Sequence, residues 1–245
     1  MKAALLGATK GMGRALARLM AQRGDEVFLL GRDPADLERS ARDLEIRRGG
    51  GRVGTAWCDL ERPEGFAGAL AAAEAALSGL DAVIVTAGLF APQAQLEGDA
   101  GLAARLLSVD FTNTVLFCEE ARRRLLARGG GTLCVFSSVA GDRGRKPVVL
   151  YGAAKAGLSR YLEGLDHRFR AAGLRTVCVK PGFVKTSMTD GLRPPPFAGE
   201  PEPVARTVLR AIDRGTPVVY APPIWRLVML AVRLLPRSVM RRVGF

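Results

Sequence analysis

The chain has 245 residues, with 36 lysines and arginines against 24 aspartates and glutamates, a formal net charge of +12. That length suits one large domain with a core of its own, which excludes a small scaffold held together by disulfides or metal. No run of eighteen uncharged apolar residues is present to cross a bilayer, and the apolar opening before Gly7 is too short for a signal peptide, so a cytoplasmic protein is expected.

Residues 2–6 form a short apolar strand, followed by a helix over 12–22 and a strand over 27–30. Asp33 and Pro34 supply an N-cap and a first-turn proline for a helix that runs to about residue 47. Next come a strand over 55–58, an alanine-rich helix over 64–77, and a continuous apolar strand over 82–86 of the kind buried on both faces. A long helix is expected over 101–128, a strand over 132–136, a helix over 151–171, and a strand over 175–179 that ends at Pro181 and Gly182. A helix over 203–213 and a strand over 218–220 complete the pattern. Alternating strands and helices predict an α/β fold, a single Rossmann-type doubly wound parallel sheet with helices on both faces. The expected division is a catalytic domain over 1–220 and a basic amphipathic C-terminal extension over 221–245. One loop, 189–203, is unusual in carrying five prolines.

Cys58, Cys118, Cys134 and Cys178 are widely spaced, and each falls in an expected strand or helix. They read as small buried side chains in a reducing compartment. The lone His167 makes no metal site with such scattered thiols. The positive excess is uneven: over 204–245 eight arginines face one acid, Asp213. No nucleic-acid-binding motif accompanies them, so an anionic membrane surface is the expected partner and nucleic acid is not.

The segment Gly7-Ala-Thr9-Lys10-Gly11-Met12-Gly13 lies between the first strand and the first helix. Glycines there allow a tight turn and close approach of backbone to a pyrophosphate, and the helix start offers free N–H groups. At the end of the second strand, where an acid usually holds the ribose hydroxyls of NAD, stand Gly31 and Arg32. Arg32 can grip a 2′-phosphate with its fork of donors, and Lys10 can approach the same group. The expected cofactor is therefore NADP(H), with Asp33 as a helix cap. Asp59 and Leu60 after the third strand would meet the adenine, and Ala87 and Gly88 after the fourth would border the adenosine half.

Tyr151 and Lys155 are four apart on a helix, so their side chains leave one face. Reducing a ketone needs a proton donor for the developing alkoxide. A phenol of ordinary pKa, about 10, is poorly poised for that at neutral pH, and a neighbouring ammonium lowers it. Ser138, just past a strand, can hold the carbonyl.

Together these residues resemble the short-chain dehydrogenase/reductase family. The resemblance rests on Gly7-x-x-x-Gly11-x-Gly13, Ser137-Ser138-Val-Ala-Gly141, Tyr151-Gly-Ala-Ala-Lys155 and Pro181-Gly182-Phe-Val184-Lys-Thr186. It implies that Ser138 orients the carbonyl, Tyr151 transfers the proton, and Lys155 binds the nicotinamide ribose and tunes Tyr151. Val184 and Thr186 would contact the nicotinamide amide. It also implies a homodimer or homotetramer packed through the helices over 101–128 and 151–171. Two departures stand out. Val85-Thr86-Ala87-Gly88 replaces the usual Asn-Asn-Ala-Gly. Asp110 stands where the family has an asparagine that supports a water relay to the lysine, with Asn113 where a small residue is usual. Asp110 keeps its backbone carbonyl but has lost the amide donor, and can pair with Lys155.

In the tail, residues 224–235 are too few to span a bilayer. Arginines beside Trp225 and several leucines predict a helix lying in the headgroup region. The alternative is a helix docked on its own domain or on a partner subunit. The tail, with Gly141-Asp-Arg-Gly-Arg145, is similar to the decaprenylphospho-β-D-erythro-pentofuranosid-2-ulose 2-reductases. That resemblance implies a 2-keto sugar on a polyprenyl phosphate as substrate, a flavin-dependent oxidase as its source, and a place on the inner face of the membrane. Two other readings stay open: a reductase of another apolar ketone (steroid, retinoid, 3-oxoacyl group), and a low-activity NADP-binding scaffold or sensor at the membrane.

Overall fold

The structure is a computed structural model, described here over residues 1–244. Seven parallel strands form one sheet in the order β3-β2-β1-β4-β5-β6-β7. The strands are β1 (Lys2–Leu6), β2 (Glu26–Gly31), β3 (Gly54–Trp57), β4 (Ala82–Val85), β5 (Gly131–Phe136), β6 (Leu174–Pro181) and β7 (Val218–Ala221). Alternation along each strand feeds two cores. Ala3, Leu5, Val27, Leu29, Ala82 and Ile84 face one layer, and Ala4, Leu6, Phe28, Leu30, Val83 and Val85 face the other. Both layers are dry, so the strands read as continuous apolar runs. Each fully buried leucine contributes about 1.5–3 kcal/mol from the area it removes from water.

Helices α1 (Gly11–Gln22), α2 (Pro34–Arg48) and α3 (Phe66–Leu77) follow the first three strands. Asp33 caps α2 by accepting from Asp36 N at 3.0 Å, with Pro34 in the first turn and Gly49 closing the helix in the left-handed region. A short helix, α4 (Gln93–Gly98), was not expected from the sequence. The long helix is continuous but not uniform: α5 (Ala100–Leu107) passes through a π turn, Ser108–Thr112, into α6 (Asn113–Ala127). A π turn inside an α-helix often marks a functional position, and this one carries Asp110. Helix α7 (Val149–Phe169) bears Tyr151 and Lys155.

Helix α8 (Pro201–Arg214) begins earlier than expected because Pro201 takes the first helical position. Strand β7 runs through Ala221, so residues 220 and 221 lie within one strand. Helices α9 (Trp225–Leu234) and α10 (Arg237–Met240) follow. The tail is not free-standing. Trp225, Met229 and Val232 are buried with Val139 in a cluster of their own, against Phe183 and Tyr220. The other face of α9 leaves Leu227, Leu230 and Leu234 more than half exposed. Docking and an apolar outer face therefore coexist in one helix. Among the described residues no helix is long and apolar enough to cross a membrane.

Candidate active site

The chain reverses winding between β1 and β4, and this opens a crevice beyond the carboxyl ends of the strands. The glycine turn leads from β1 into it. Gly7 has φ +92°, and a Cβ there would stand 2.5 Å from Ala87 N. Gly11 also lies in the left-handed region, at φ +53°. Gly13 has a different task, helix-to-sheet packing: a Cβ would meet Thr86 Oγ1 at 2.3 Å and Gly7 O at 2.5 Å. Thr86 itself donates to Leu6 O, which ties the β4 end to β1 in place of the family's asparagine. Met12 turns its side chain toward the core, so only its backbone is available to a ligand. No side chain caps the start of α1, and its first N–H groups are left for an anion.

A cleft of about 290 Å³ brings together Gly7, Thr9, Lys10, Arg32, Asp59, Leu60, Ala87 and Gly88 as expected. It also holds residues that sequence reasoning missed. Lys10 lies 3.0 Å from Asp36, and Arg32 lies 3.7 Å from Glu61. Arg105 grips Glu61 with two donors at 2.6 and 2.9 Å, which holds that carboxyl below its ordinary value. This end of the cleft therefore has three cations, each with a carboxylate in reach. Asn113 has a structural task, donating to Leu60 O at 2.6 Å.

Ser138, Tyr151 and Lys155 lie together, with Lys155 next to Gly88 of the cleft. Ser138 accepts from Ala140 N at 3.0 Å, and its hydroxyl faces the Tyr151 phenol. Tyr151 is half-buried and meets the edge of Phe90, ring centroids 5.2 Å apart. Lys155 Nζ lies 5.6 Å from the Tyr151 ring centroid, and 3.4 Å from both Phe136 O and Asp110 Oδ2. Asp110 is fully buried. Its Oδ1 accepts from Leu89 N at 2.6 Å, whereas Oδ2 completes no directed hydrogen bond. Gly88 leaves room for the pair, since a Cβ would lie 3.1 Å from Asp110 Oδ1 and 3.4 Å from Lys155 Nζ.

The electrostatics correct one expectation. Lys155 alone would lower the phenol's pKa, but burial raises it, Asp110 adds to the rise, and the net direction is upward. Burial also raises the Asp110 carboxyl, against the pull of Lys155. Burial disfavours the Lys155 ammonium, but Asp110 and Tyr151 outweigh it and raise its pKa. The upward shift favours the neutral phenol of Tyr151, the form that can donate a proton.

Beyond β6, Pro181 is buried and Gly182 donates to Ala221 O. A Cβ on Gly182 would stand 2.1 Å from the Trp225 indole nitrogen, so this glycine makes room for the tail. The indole in turn donates to Phe197 O at 3.2 Å in the proline-rich loop. Val184 turns its side chain into the core, and its carbonyl accepts from Thr189 Oγ1 at 2.8 Å. Thr186 comes beside the glycine turn, its Cγ2 3.3 Å from where a Cβ on Gly11 would be.

A doubly wound sheet, a glycine turn at its switch point, and a Ser-Tyr-Lys cluster facing that turn define a dinucleotide-dependent oxidoreductase. The chain belongs to the short chain dehydrogenase family, whose model matches residues 2–196. An uncharacterized oxidoreductase of Mycobacterium tuberculosis is 38% identical over 160 residues, 65% of this chain and 64% of that protein. The match thus spans less than two thirds of that relative. An uncharacterized oxidoreductase of Streptomyces coelicolor is 34% identical over 249 residues, 98% of this chain and 94% of that protein. Among solved structures, a variant of actinorhodin polyketide ketoreductase with NADPH has a TM-score of 0.79 at 22% identity. That match covers 89% of this chain and 95% of the other.

Proposed function

We propose that this chain reduces a ketone to an alcohol with NADPH, and that the ketone is a 2-keto sugar on a polyprenyl phosphate. The observation that carries the reductase reading is the grouping of Ser138, Tyr151 and Lys155, with Lys155 next to Gly88 of the cleft. NADPH, when bound in the cleft, supplies the hydride. Ser138 holds the carbonyl oxygen, Tyr151 gives its proton to the oxygen as it gains charge, and Lys155 faces the phenol and favours its anion afterwards. Phe90 walls one side of Tyr151 from water. Arg32, with Lys10 and Arg105 beside it, would take the 2′-phosphate by exchanging carboxylate partners for phosphate oxygens.

The lipid-linked substrate and the place on the inner face of the membrane rest on the tail. The apolar outer face of α9 and the arginines around it suit an anionic headgroup region. A flavin-dependent oxidase would supply the ketone, and the active form is a homodimer or homotetramer. One observation favours a scaffold with little turnover: Asp110 neutralises the lysine that should activate Tyr151. NADPH oxidation in detergent micelles separates these readings. Consumption with a polyprenyl-phosphate-linked 2-keto pentose, far faster than with a soluble ketone, is expected. NADPH binding without consumption would favour the scaffold, and equal rates on steroid or 3-oxoacyl ketones would remove the sugar.

A further inference from the structure

A second cleft, outside the crevice, lies between the 140–146 loop, the start of α7 and α10. Its charged residues are Arg143, Arg145, Lys146, Arg237 and Arg241, and no carboxylate lines it. Among the described residues none of the five forms an ion pair; Arg143, Arg145 and Lys146 differ in this from most cations up to Arg206, whereas Arg237 and Arg241 share it with the other arginines beyond Arg206. Asp142, the acid beside them in sequence, is committed elsewhere: it takes Lys180 at 2.6 Å on one oxygen and the Tyr220 hydroxyl at 2.7 Å on the other. Arg143 fastens the loop to the tail by donating to Leu235 O at 2.9 Å.

Arg145 is the telling member. Its Nε is buried and has no hydrogen-bond partner. A buried donor is rarely left unmet, and a guanidinium presents its Nε with a second nitrogen as a fork that fits two phosphate oxygens. Burial also lowers its pKa, which an arriving anion would reverse. The floor is made of small residues (Ala140, Gly141, Gly152, Ala153), so no bulky side chain stands between the cations.

We propose that this cleft is a binding site for a phosphate monoester, supplied by a lipid headgroup. The five cations and the vacant Arg145 donor set the ligand chemistry. The choice of a lipid source rests on the membrane reading above, because α9 with its exposed leucines leads directly into α10. Phosphate binding itself stands on the cleft alone.

The test is calorimetric titration of the full chain with dihexanoyl phosphatidic acid, dihexanoyl phosphatidylcholine and inorganic phosphate, without any ketone. The phosphatidic acid should bind and phosphatidylcholine should not. Arg145→Gln should weaken binding by about ten- to a hundredfold, the range of one charge-assisted contact. Arg52→Gln, which removes the same charge from an exposed loop, should leave it unchanged. An unaltered melting temperature and NADPH affinity in Arg145→Gln would exclude misfolding. Competition by inorganic phosphate would show that the phosphate group itself is read, and binding without competition would assign recognition to the lipid ester. No binding, or equal losses in the Arg145 and Arg52 variants, would overturn the site. Since no turnover is measured, this outcome is independent of the proposed reaction.

Discussion

Lys155 and Arg145 are ten residues apart in the chain, and both bring a cationic donor out of water. Their surroundings differ. Lys155 has the Asp110 carboxylate at 3.4 Å and a backbone carbonyl at the same distance. Arg145 has a buried Nε with no partner. Burying a charge is costly unless something offsets it. Beside Tyr151 the protein supplies the offset itself, and at Arg145 it supplies none. Satisfying the lysine internally fixes its place beside Tyr151 at the expense of its influence on the phenol.

The largest effect is expected when the internal partner of Lys155 is removed. Asp110→Ala strands Lys155 and leaves Leu89 N without its acceptor, so a loss of about 3–5 kcal/mol in unfolding free energy is expected from chemical denaturation. Arg145→Gln should cost almost nothing by the same measurement, because no native bond is lost. Trp225→Ala comes next, at about 3 kcal/mol, since it empties the space beside Gly182 and frees Phe197 O. If α9 is only loosely applied, that variant will melt with the parent protein.

Asp110→Asn removes the charge without opening a cavity. The carboxylate helps hold the phenol above its ordinary pKa, so its removal should lower that pKa. Alcohol oxidation needs the phenolate and rises with pH through the phenol's pKa; reduction needs the phenol and falls through it. The rise in oxidation should therefore move to lower pH in the variant, with more oxidation at neutral pH than in the parent. Parallel profiles in the two proteins would detach Asp110 from Tyr151. The smallest effect on stability is expected from Leu227→Ser with Leu230→Ser, within about 0.5 kcal/mol because both face outward, while association with anionic vesicles drops.

Much of this was legible in the sequence. Strands buried on both faces are continuous apolar runs, and the glycine turn, Asp33-Pro34 and the Tyr151/Lys155 spacing are local signals. What was hidden depends on distant contacts. The role of Gly182 follows from Trp225, which lies in the tail, and the carboxylates facing Lys10 and Arg32 come from Asp36 and Glu61 on other elements. The π turn at Ser108–Thr112 has no local signature, although Asp110 within it stood out as a departure from the family. The tail's composition announced an amphipathic helix but not that its two faces serve two purposes. The unmet Arg145 had no sequence signal at all, because its arginine neighbours in α10 are contributed from ninety residues away.

The central claim is that Tyr151 donates the proton in a ketone reduction by NADPH. The most direct test compares wild type with Tyr151→Phe, measuring NADPH oxidation and NADPH binding on the same preparations. Turnover should fall by about 10²–10⁴-fold, the usual contribution of a positioned general acid, with binding unchanged. Turnover that survives the substitution would contradict the account and move the chemistry away from this cluster.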